Sequence, residues 1–159
     1  MTTIKFGTDG WRAIIAKDYT VDNVERVSEA TAKWMLKRKM TKAVIGYDCR
    51  FAGEMFSEVA ARVFGDHGIK VFLSPNFSST PMVSLAVVKT GSDMGIVITA
   101  SHNPASYNGF KLKSSFGGPS GPSDIEEVEA MIPDSAISTL PSIQELKEKG
   151  LVEYIDLEN

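Results

Sequence analysis

The stretch that decides the fold is MGIVITASHNP, residues 94–104. Its first five residues are apolar at every position, as in a parallel strand that is buried on both faces of a sheet. A run of polar, turn-forming residues follows at once, and it is longer than a plain surface turn requires. This segment is therefore either an idle turn or a loop that presents the hydroxyl of Ser101 as a nucleophile.

Strand and helix patterns alternate around this stretch, which predicts an α/β fold with helices covering a mostly parallel sheet. The last strand follows its predecessor too closely for a parallel crossover, so we expect it to be antiparallel. Thr20 is the predicted N-cap of the first helix, and Ser123 and Glu126 form a predicted capping box for the fourth. The predicted strands are residues 42–47, 69–74, 93–100 and 109–115, and the predicted helices span about 20–39, 55–67, 80–88 and 123–131.

Composition restricts the possible functions of this chain of 159 residues. Hydrophobic residues make up 43% of the chain and the net charge is -3. This composition does not indicate binding to nucleic acid or to a membrane. Cys49 is the single cysteine, which excludes an internal disulfide and fits a reducing compartment. Because the sequence also has no apolar leader and no long apolar run, we expect a cytoplasmic protein.

The tail differs from the rest of the chain. Residues 1–132 carry the α/β pattern, and residues 133–159 are interpreted as a linker, a short helix and a strand that lead to a second, missing domain. Ser142 and Glu145 form a predicted capping box for the short helix. The last pattern, LVEYIDL at 151–157, has strand character but no predicted partner in the chain.

Ligands of open α/β sheets bind beyond the carboxyl ends of the strands. Asp48 and Arg50 follow the first predicted strand, and Ser101 follows the third. If the first and third strands are neighbours in the sheet, their two loops share one crevice. An Asp-x-Arg pair taken alone is more often a local ion pair than part of a site.

Ser101 has two functional interpretations besides an idle loop residue. A serine hydrolase is disfavoured, because the sequence has no G-x-S-x-G elbow and the adjacent His102 is poorly placed to act as the base of a triad. A phosphorylated serine fits better, since it carries about −1.5 to −2 charges that nearby cations can meet. The candidate cations are Arg12, Arg50 and Lys111.

The motif FGTDGWR, residues 6–12, is the second candidate ligand loop. Gly7 and Gly10 allow the backbone to bend closely around a ligand, and Arg12 supplies a planar fork for phosphate or carboxylate. Two glycines near the start of a chain are, taken alone, usually only a turn.

Together, FGTDGWR, GYDCR (46–50), TASHNP (99–104) and NGFK (108–111) resemble the first domain of the α-D-phosphohexomutases, the phosphoglucomutase and phosphomannomutase family. The resemblance covers about residues 4–132. It implies a three-layer α/β/α domain with a mixed four-stranded sheet of order 2-1-3-4, the fourth strand antiparallel. It also implies that this chain is the first of four domains.

The resemblance assigns roles to individual residues. Ser101 matches the phosphoserine, His102 the neighbouring histidine that helps proton transfer, and Lys111 a lysine of the same catalytic site. Substrate binding is implied for these three residues and for Thr8, Arg12 and Arg50. Cys49 stands where relatives often carry threonine.

The implied reaction interconverts hexose 1-phosphate and hexose 6-phosphate, of glucose or mannose, through a bisphosphosugar. The implied cofactors are Mg²⁺, held in part by the phosphate on Ser101, and glucose or mannose 1,6-bisphosphate as activator. No two aspartates of the chain lie two residues apart, so the D-x-D-x-[DN] cluster that completes the metal site is expected in an absent domain. We therefore expect this chain to be inactive alone. The alternatives are a non-catalytic sugar-phosphate-binding module and a phosphoglucosamine mutase domain.

Overall fold

A computed structural model describes residues 2–158 as a mixed sheet with helices on both faces. The strands are β1 (Gly10–Ile14), β2 (Lys42–Tyr47), β3 (Lys70–Leu73), β4 (Met94–Ile98), β5 (Tyr107–Lys113) and β6 (Val152–Tyr154). The helices are α1 (Val21–Lys37), α2 (Gly53–Asp66), α3 (Thr80–Thr90), α4 (Pro122–Ala130) and α5 (Ile143–Glu148). None of the helices within residues 2–158 has the length and apolar character needed to span a bilayer.

The sheet has the order β1-β5-β4-β2-β3-β6. Its four central strands follow the predicted order 2-1-3-4, and β5 is antiparallel to β4 as predicted. β2 pairs in parallel with both β3 and β4. The predicted count of four strands is wrong, because one further strand pairs along each edge of this group: β1 with β5, and β6 with β3.

Both additional strands have partners that local sequence does not reveal. The GWRAI sequence of β1 contains a glycine and an arginine, which disguise the alternation that buries Trp11 and Ala13 in the core. The expectation that residues 151–157 have no partner in the chain is wrong, since Val152 pairs with Val71 in a parallel ladder. These two residues are far apart in sequence, so they can pair only after the rest of the sheet has formed. The local sequence pattern therefore could not predict this pairing.

Alternate residues of the central strands face two different helix layers. Ile45 and Leu73 join the larger core, to which α1 and α2 contribute. Val44 and Val97 instead pack against α3 on the opposite face. The predicted three-layer α/β/α arrangement is therefore confirmed, with α4 packed beside α1 and α5 beside α2.

The helix starts largely follow their capping signals. Thr20 caps α1 as predicted and accepts a hydrogen bond from the backbone of a residue in the first turn. The predicted capping box of Ser123 and Glu126 is wrong. Helix α4 begins two residues earlier than that cap implies, at Pro122, whose fixed φ suits the first helical position. The observed cap residue, Gly121, has no side chain to bond.

An aromatic stack lies between the first helix layer and β5. The rings of Trp11 and Tyr19 stack with centroids 4.5 Å apart, and Tyr19 meets Phe56 edge to face at 4.8 Å. The hydroxyl of the fully buried Tyr19 donates to the carbonyl of Gly109 at 2.7 Å. Burial, with a smaller contribution from the charge of Asp48, raises the pKa of Tyr19 well above its ordinary value. Through Tyr19, the stack connects Phe56 of α2 to the backbone of β5.

The tail docks on the second helix. Arg62 donates from Nε to the carbonyl of Pro141 at 2.7 Å and from Nη2 to that of Leu140 at 3.2 Å. The predicted capping box of Ser142 and Glu145 is confirmed at the start of α5. The tail up to β6 therefore packs against the same sheet and helices as the residues before it.

We expect Leu146→Ala to lower the free energy of unfolding by about 2–4 kcal/mol, as for other buried leucines. Leu146 is 1% exposed and is the one buried residue of α5, so its loss should also weaken the pairing of β6. Urea unfolding measures the effect. Leu85→Ala is the matched control, because Leu85 is 53% exposed. Equal losses in the two variants would mean that the tail adds nothing to the core.

Candidate active site

Two loops meet at the carboxyl edge of the parallel strands, because β2 and β4 are neighbours. Asp48 follows β2, and its backbone N–H donates to Ile98 at the end of β4 at 3.1 Å. Thr99 then donates from Oγ1 to Oδ2 of Asp48 at 2.5 Å. The predicted strand order thus brings these two loops into contact. We call residues 99–106, which connect β4 to β5, the serine loop.

Ser101 lies in the serine loop with a strained backbone. Its side chain is exposed and its φ is +54°, in the left-handed region that costs a residue with a side chain about 1–2 kcal/mol. The N–H of Ser101 donates to Oγ1 of Thr99 at 3.1 Å. Such strained backbone in a site loop is typical of functional positions.

The guanidinium of Arg50 lies against the serine loop. Nη1 donates to the carbonyls of Pro104 at 2.7 Å and Tyr107 at 2.9 Å. Nη2 donates to the carbonyls of Ser101 at 2.8 Å and Asn103 at 2.7 Å. One side chain thus contacts four backbone carbonyls around the loop.

The turn at residues 7–10 approaches the serine loop from β1. It is closed by a hydrogen bond from the N–H of Gly7 to the carbonyl of Gly10 at 2.7 Å. Gly10 is required there, because a Cβ at this position would collide with the carbonyl of Phe110. Arg12 then donates from Nη1 to Oδ1 of Asn103 at 2.9 Å, which joins the two loops.

An open groove of about 390 Å³ lies between these loops, and we call it the cation groove. Its lining residues are Lys5, Gly7, Thr8, Asp9, Gly10, Arg12 and His102. Of the predicted site residues, the structure therefore brings Thr8, Arg12 and His102 together, with Ser101 next in the chain. Arg50 is not among the residues that line the groove.

Asp9 connects the predicted lysine to the groove, although its residue type and position alone predicted no role for it. Its Oδ2 lies 3.2 Å from Nζ of Lys111, and its Oδ1 lies 3.5 Å from Nη2 of Arg12. The carboxylate thereby pairs with two of the cations that were expected to meet a phosphate, and its one negative charge offsets part of theirs. Its place between two glycines of a proposed ligand loop is the signal that could have identified it.

Lys111 and Lys113 stand on the same face of β5. Both are largely buried, at 9% and 8% exposed. Burial lowers the pKa of Lys113, the charge of Lys111 lowers it further, and Asp9 partly opposes both effects. Lys111 pairs in register with Gly10, so its side chain leaves the strand beside the turn that carries Asp9.

The described residues do not form a magnesium site by themselves. In residues 2–158, no three His, Cys, Asp or Glu side chains are grouped so that they could hold a metal ion. Asp9, the carboxylate of the groove, is already paired with two cations. A metal here would need oxygen ligands beyond those that this part of the chain supplies.

Residues 3–136 match the family model for phosphoglucomutase/phosphomannomutase, alpha/beta/alpha domain I. The chain therefore belongs to the phosphoglucomutase/phosphomannomutase family, the α-D-phosphohexomutases, and corresponds to their first domain. The family resemblance drawn from FGTDGWR, GYDCR and TASHNP is confirmed.

Individual relatives agree with this assignment. A phosphoglucosamine/phosphogalactosamine mutase of Sulfurisphaera tokodaii is 38% identical over 67% of this chain and 23% of its own length. A phosphoglucomutase of Staphylococcus saprophyticus is 37% identical over 72% of this chain and 21% of its own. The crystal structure of a "putative phosphomannomutase" from Thermus thermophilus superposes with a TM-score of 0.89 at 33% identity, over 98% of this chain and 34% of that one. The chain thus spans a fifth to a third of the relatives it matches.

We expect Ser101→Gly to be more stable than Ser101→Ala, with a free energy of unfolding about 1 kcal/mol higher. The reason is that glycine adopts a positive φ without the steric cost of a Cβ. Urea unfolding of the two variants measures the difference. Ser106→Gly and Ser106→Ala are the control pair, because Ser106 is not among the residues with positive φ. At Ser106 we expect the alanine variant to be more stable than the glycine variant. The same order at both positions would contradict a strained Ser101.

We expect Asp9→Asn to strengthen the binding of inorganic phosphate about fivefold or more, because Lys111 and Arg12 lose the carboxylate that pairs with both of them. Isothermal titration calorimetry measures the affinity. Asp66→Asn, at the far end of α2, makes the same change in net charge at an exposed position remote from the groove. If both variants gain affinity equally, the effect is one of overall charge and Asp9 does not compete with phosphate.

Proposed function

We propose that this chain is the phosphoserine-bearing domain of a mutase that interconverts hexose 1-phosphate and hexose 6-phosphate through a bisphosphosugar. The observation that carries the proposal is the exposed, left-handed Ser101 beside a groove that holds Arg12, His102 and, through Asp9, Lys111. Family membership supports the reaction class.

The environment of the Ser101 hydroxyl favours phosphoryl transfer over acyl transfer. Within residues 2–158, no hydrogen bond joins this hydroxyl to His102 or to another side chain, so the serine–histidine pair of a hydrolytic triad is not formed. Phosphoryl transfer depends instead on position and on positive charge around the migrating group. Arg12 and Lys111 provide that charge.

In the transfer step, the bond between phosphorus and a sugar oxygen of the bisphosphosugar breaks, and a bond between phosphorus and Oγ of Ser101 forms. The proton of the serine hydroxyl passes to water as the new bond forms, and the departing sugar oxygen takes a proton from His102, which regains one from the solvent. His102, exposed at the groove, is the group we assign to the sugar proton. Lys111 and Arg12 stabilise the charge on the phosphoryl group, and the backbone at Thr8 faces the substrate.

The sugar is proposed to be glucose or mannose. Relatives at 37–38% identity carry names for different sugars, glucose in one case and glucosamine or galactosamine in another, so a phosphoglucosamine mutase is the second candidate. The sugar, the second phosphate and the remaining Mg²⁺ ligands would be bound by domains beyond this one. The isolated chain is therefore expected to accept a phosphoryl group without completing the isomerisation. A non-catalytic sugar-phosphate-binding module would accept none.

The test is incubation of the chain with glucose, mannose or glucosamine 1,6-bisphosphate, followed by intact-mass and peptide mass spectrometry. We expect one phosphoryl group on Ser101 of the wild type and none on Ser101→Ala. Phosphorus NMR should show no conversion of glucose 1-phosphate by the chain alone. Absence of phosphoserine with all three sugars would overturn the proposal, and labelling of Ser101 by a fluorophosphonate would favour a hydrolase.

We expect Lys111→Ala to slow phosphoryl transfer to Ser101 about 100-fold, as loss of one group that stabilises transition-state charge does in other enzymes. The matched control is Lys113→Ala, which removes the neighbouring lysine on the same face of β5. Rates come from mass spectrometry at timed intervals, with folding checked by thermal unfolding. If Lys111→Ala lowers the melting temperature and leaves the rate per folded molecule intact, the role of Lys111 is structural.

A further inference from the structure

We infer that Arg50 is a positioning residue: its guanidinium holds the backbone of the serine loop, and with it Ser101, rather than binding the substrate. The inference differs from the substrate-binding role that the family resemblance implies for this arginine. It rests on the proposed function only in that Ser101 is the phosphoryl acceptor.

The hydrogen bonds of Arg50 occupy both Nη nitrogens, the groups with which a guanidinium would grip a substrate phosphate. A guanidinium has five N–H donors in a fixed plane. The four on Nη1 and Nη2 match the four carbonyls of the serine loop and Tyr107, at 2.7–2.9 Å. The fifth is on Nε, which makes an ion-pair contact of 3.7 Å with Oδ2 of Asp48 and no hydrogen bond. The side chain of Arg50 is also only 13% exposed.

Two of the bonds in this region fix the backbone of Ser101 from both sides. Its N–H is held by Oγ1 of Thr99 at 3.1 Å, and its carbonyl is held by Nη2 of Arg50 at 2.8 Å. These two peptide groups flank the φ and ψ rotations of Ser101, so together they oppose the return of a positive φ to an ordinary value. Strained conformations persist where the surroundings over-determine them in this way.

Asp48 aligns both of these groups. Its Oδ2 accepts the hydroxyl of Thr99, which leaves the lone pairs of that hydroxyl directed to the N–H of Ser101. Its Oδ1 accepts the backbone N–H of Arg50 at 3.1 Å. The Asp-x-Arg sequence after β2 is therefore more than a local ion pair, because it connects the end of one parallel strand to the loop after the next.

A lysine cannot replace Arg50 in this role. Its single nitrogen has three donors and no planar fork, so it cannot reach four carbonyls spread around a loop. A lysine at a phosphate-binding position, by contrast, keeps the charge that the phosphate needs. The substitution Arg50→Lys therefore separates the two roles.

Hydrogen exchange tests the loop directly. We expect Arg50→Ala and Arg50→Lys each to speed exchange at the amides of Ser101 and Asn103 at least tenfold. Arg62→Ala is the matched control, because Arg62 also donates to two backbone carbonyls, those of Leu140 and Pro141 in the tail. It should leave the serine loop unchanged. Unaltered exchange at Ser101 and Asn103 in both Arg50 variants would overturn the inference.

Phosphoryl transfer from glucose 1,6-bisphosphate tests the consequence for Ser101. For Arg50→Ala and Arg50→Lys we expect the maximal rate to fall at least tenfold while the half-saturating sugar concentration stays within twofold. Added guanidinium ion should restore part of the rate of Arg50→Ala, whereas methylammonium should not. A higher half-saturating concentration with an unchanged maximal rate would show that Arg50 binds the substrate and would overturn the inference. If wild-type protein accepts no phosphoryl group, the proposed function fails, and the exchange measurement still decides the role of Arg50.

Discussion

The parallel pairing of β2 with β4 is the constraint on which the rest of the site depends. It brings the loops after the two strands to the same edge of the sheet, where the hydroxyl of Thr99 meets Asp48. Arg50 can then cross from one loop to the carbonyls of the other. The antiparallel return of β5 places Lys111 beside the turn carried by β1. These groups thus owe their positions to backbone pairing and not to side-chain packing alone.

The positive charge around the groove is partly offset inside the protein. Asp9 offsets Lys111 and Arg12, while Arg50 is used by backbone carbonyls. Concentrating cations around an exposed serine without such partners would oppose folding through mutual repulsion and desolvation. Under the proposed function, an incoming phosphate would have to compete with this carboxylate for its cations. Asp9 would then raise the stability of the empty domain and lower its affinity for phosphate.

Much of the fold and part of the site could be predicted from the sequence. Buried strands such as β4 and capped helices such as α1 carry strong local patterns, and the motifs around Ser101 identify the family. The edge strands β1 and β6 were harder, because their pairing depends on partners distant in sequence. The contacts of Asp9 and Arg50 could not be predicted. They depend on where backbone carbonyls and neighbouring charges lie once the loops have folded, and residue types alone do not encode those distances.

The stack of Trp11 on Tyr19 gives the protein a built-in optical reporter. Trp11 lies in β1 between Gly10 and Arg12, so its indole is attached to the same strand that carries the cation groove. Trp34, by contrast, lies in α1, where its indole donates to Glu127 of α4 and contacts Arg38. The indole of Trp11 is buried in the core, so its emission reports on the packing of the strand that also carries Arg12. Replacing Trp34 by phenylalanine leaves Trp11 as the single tryptophan of the sequence, which allows changes in the packing of β1 to be timed in a stopped-flow instrument without attaching a dye.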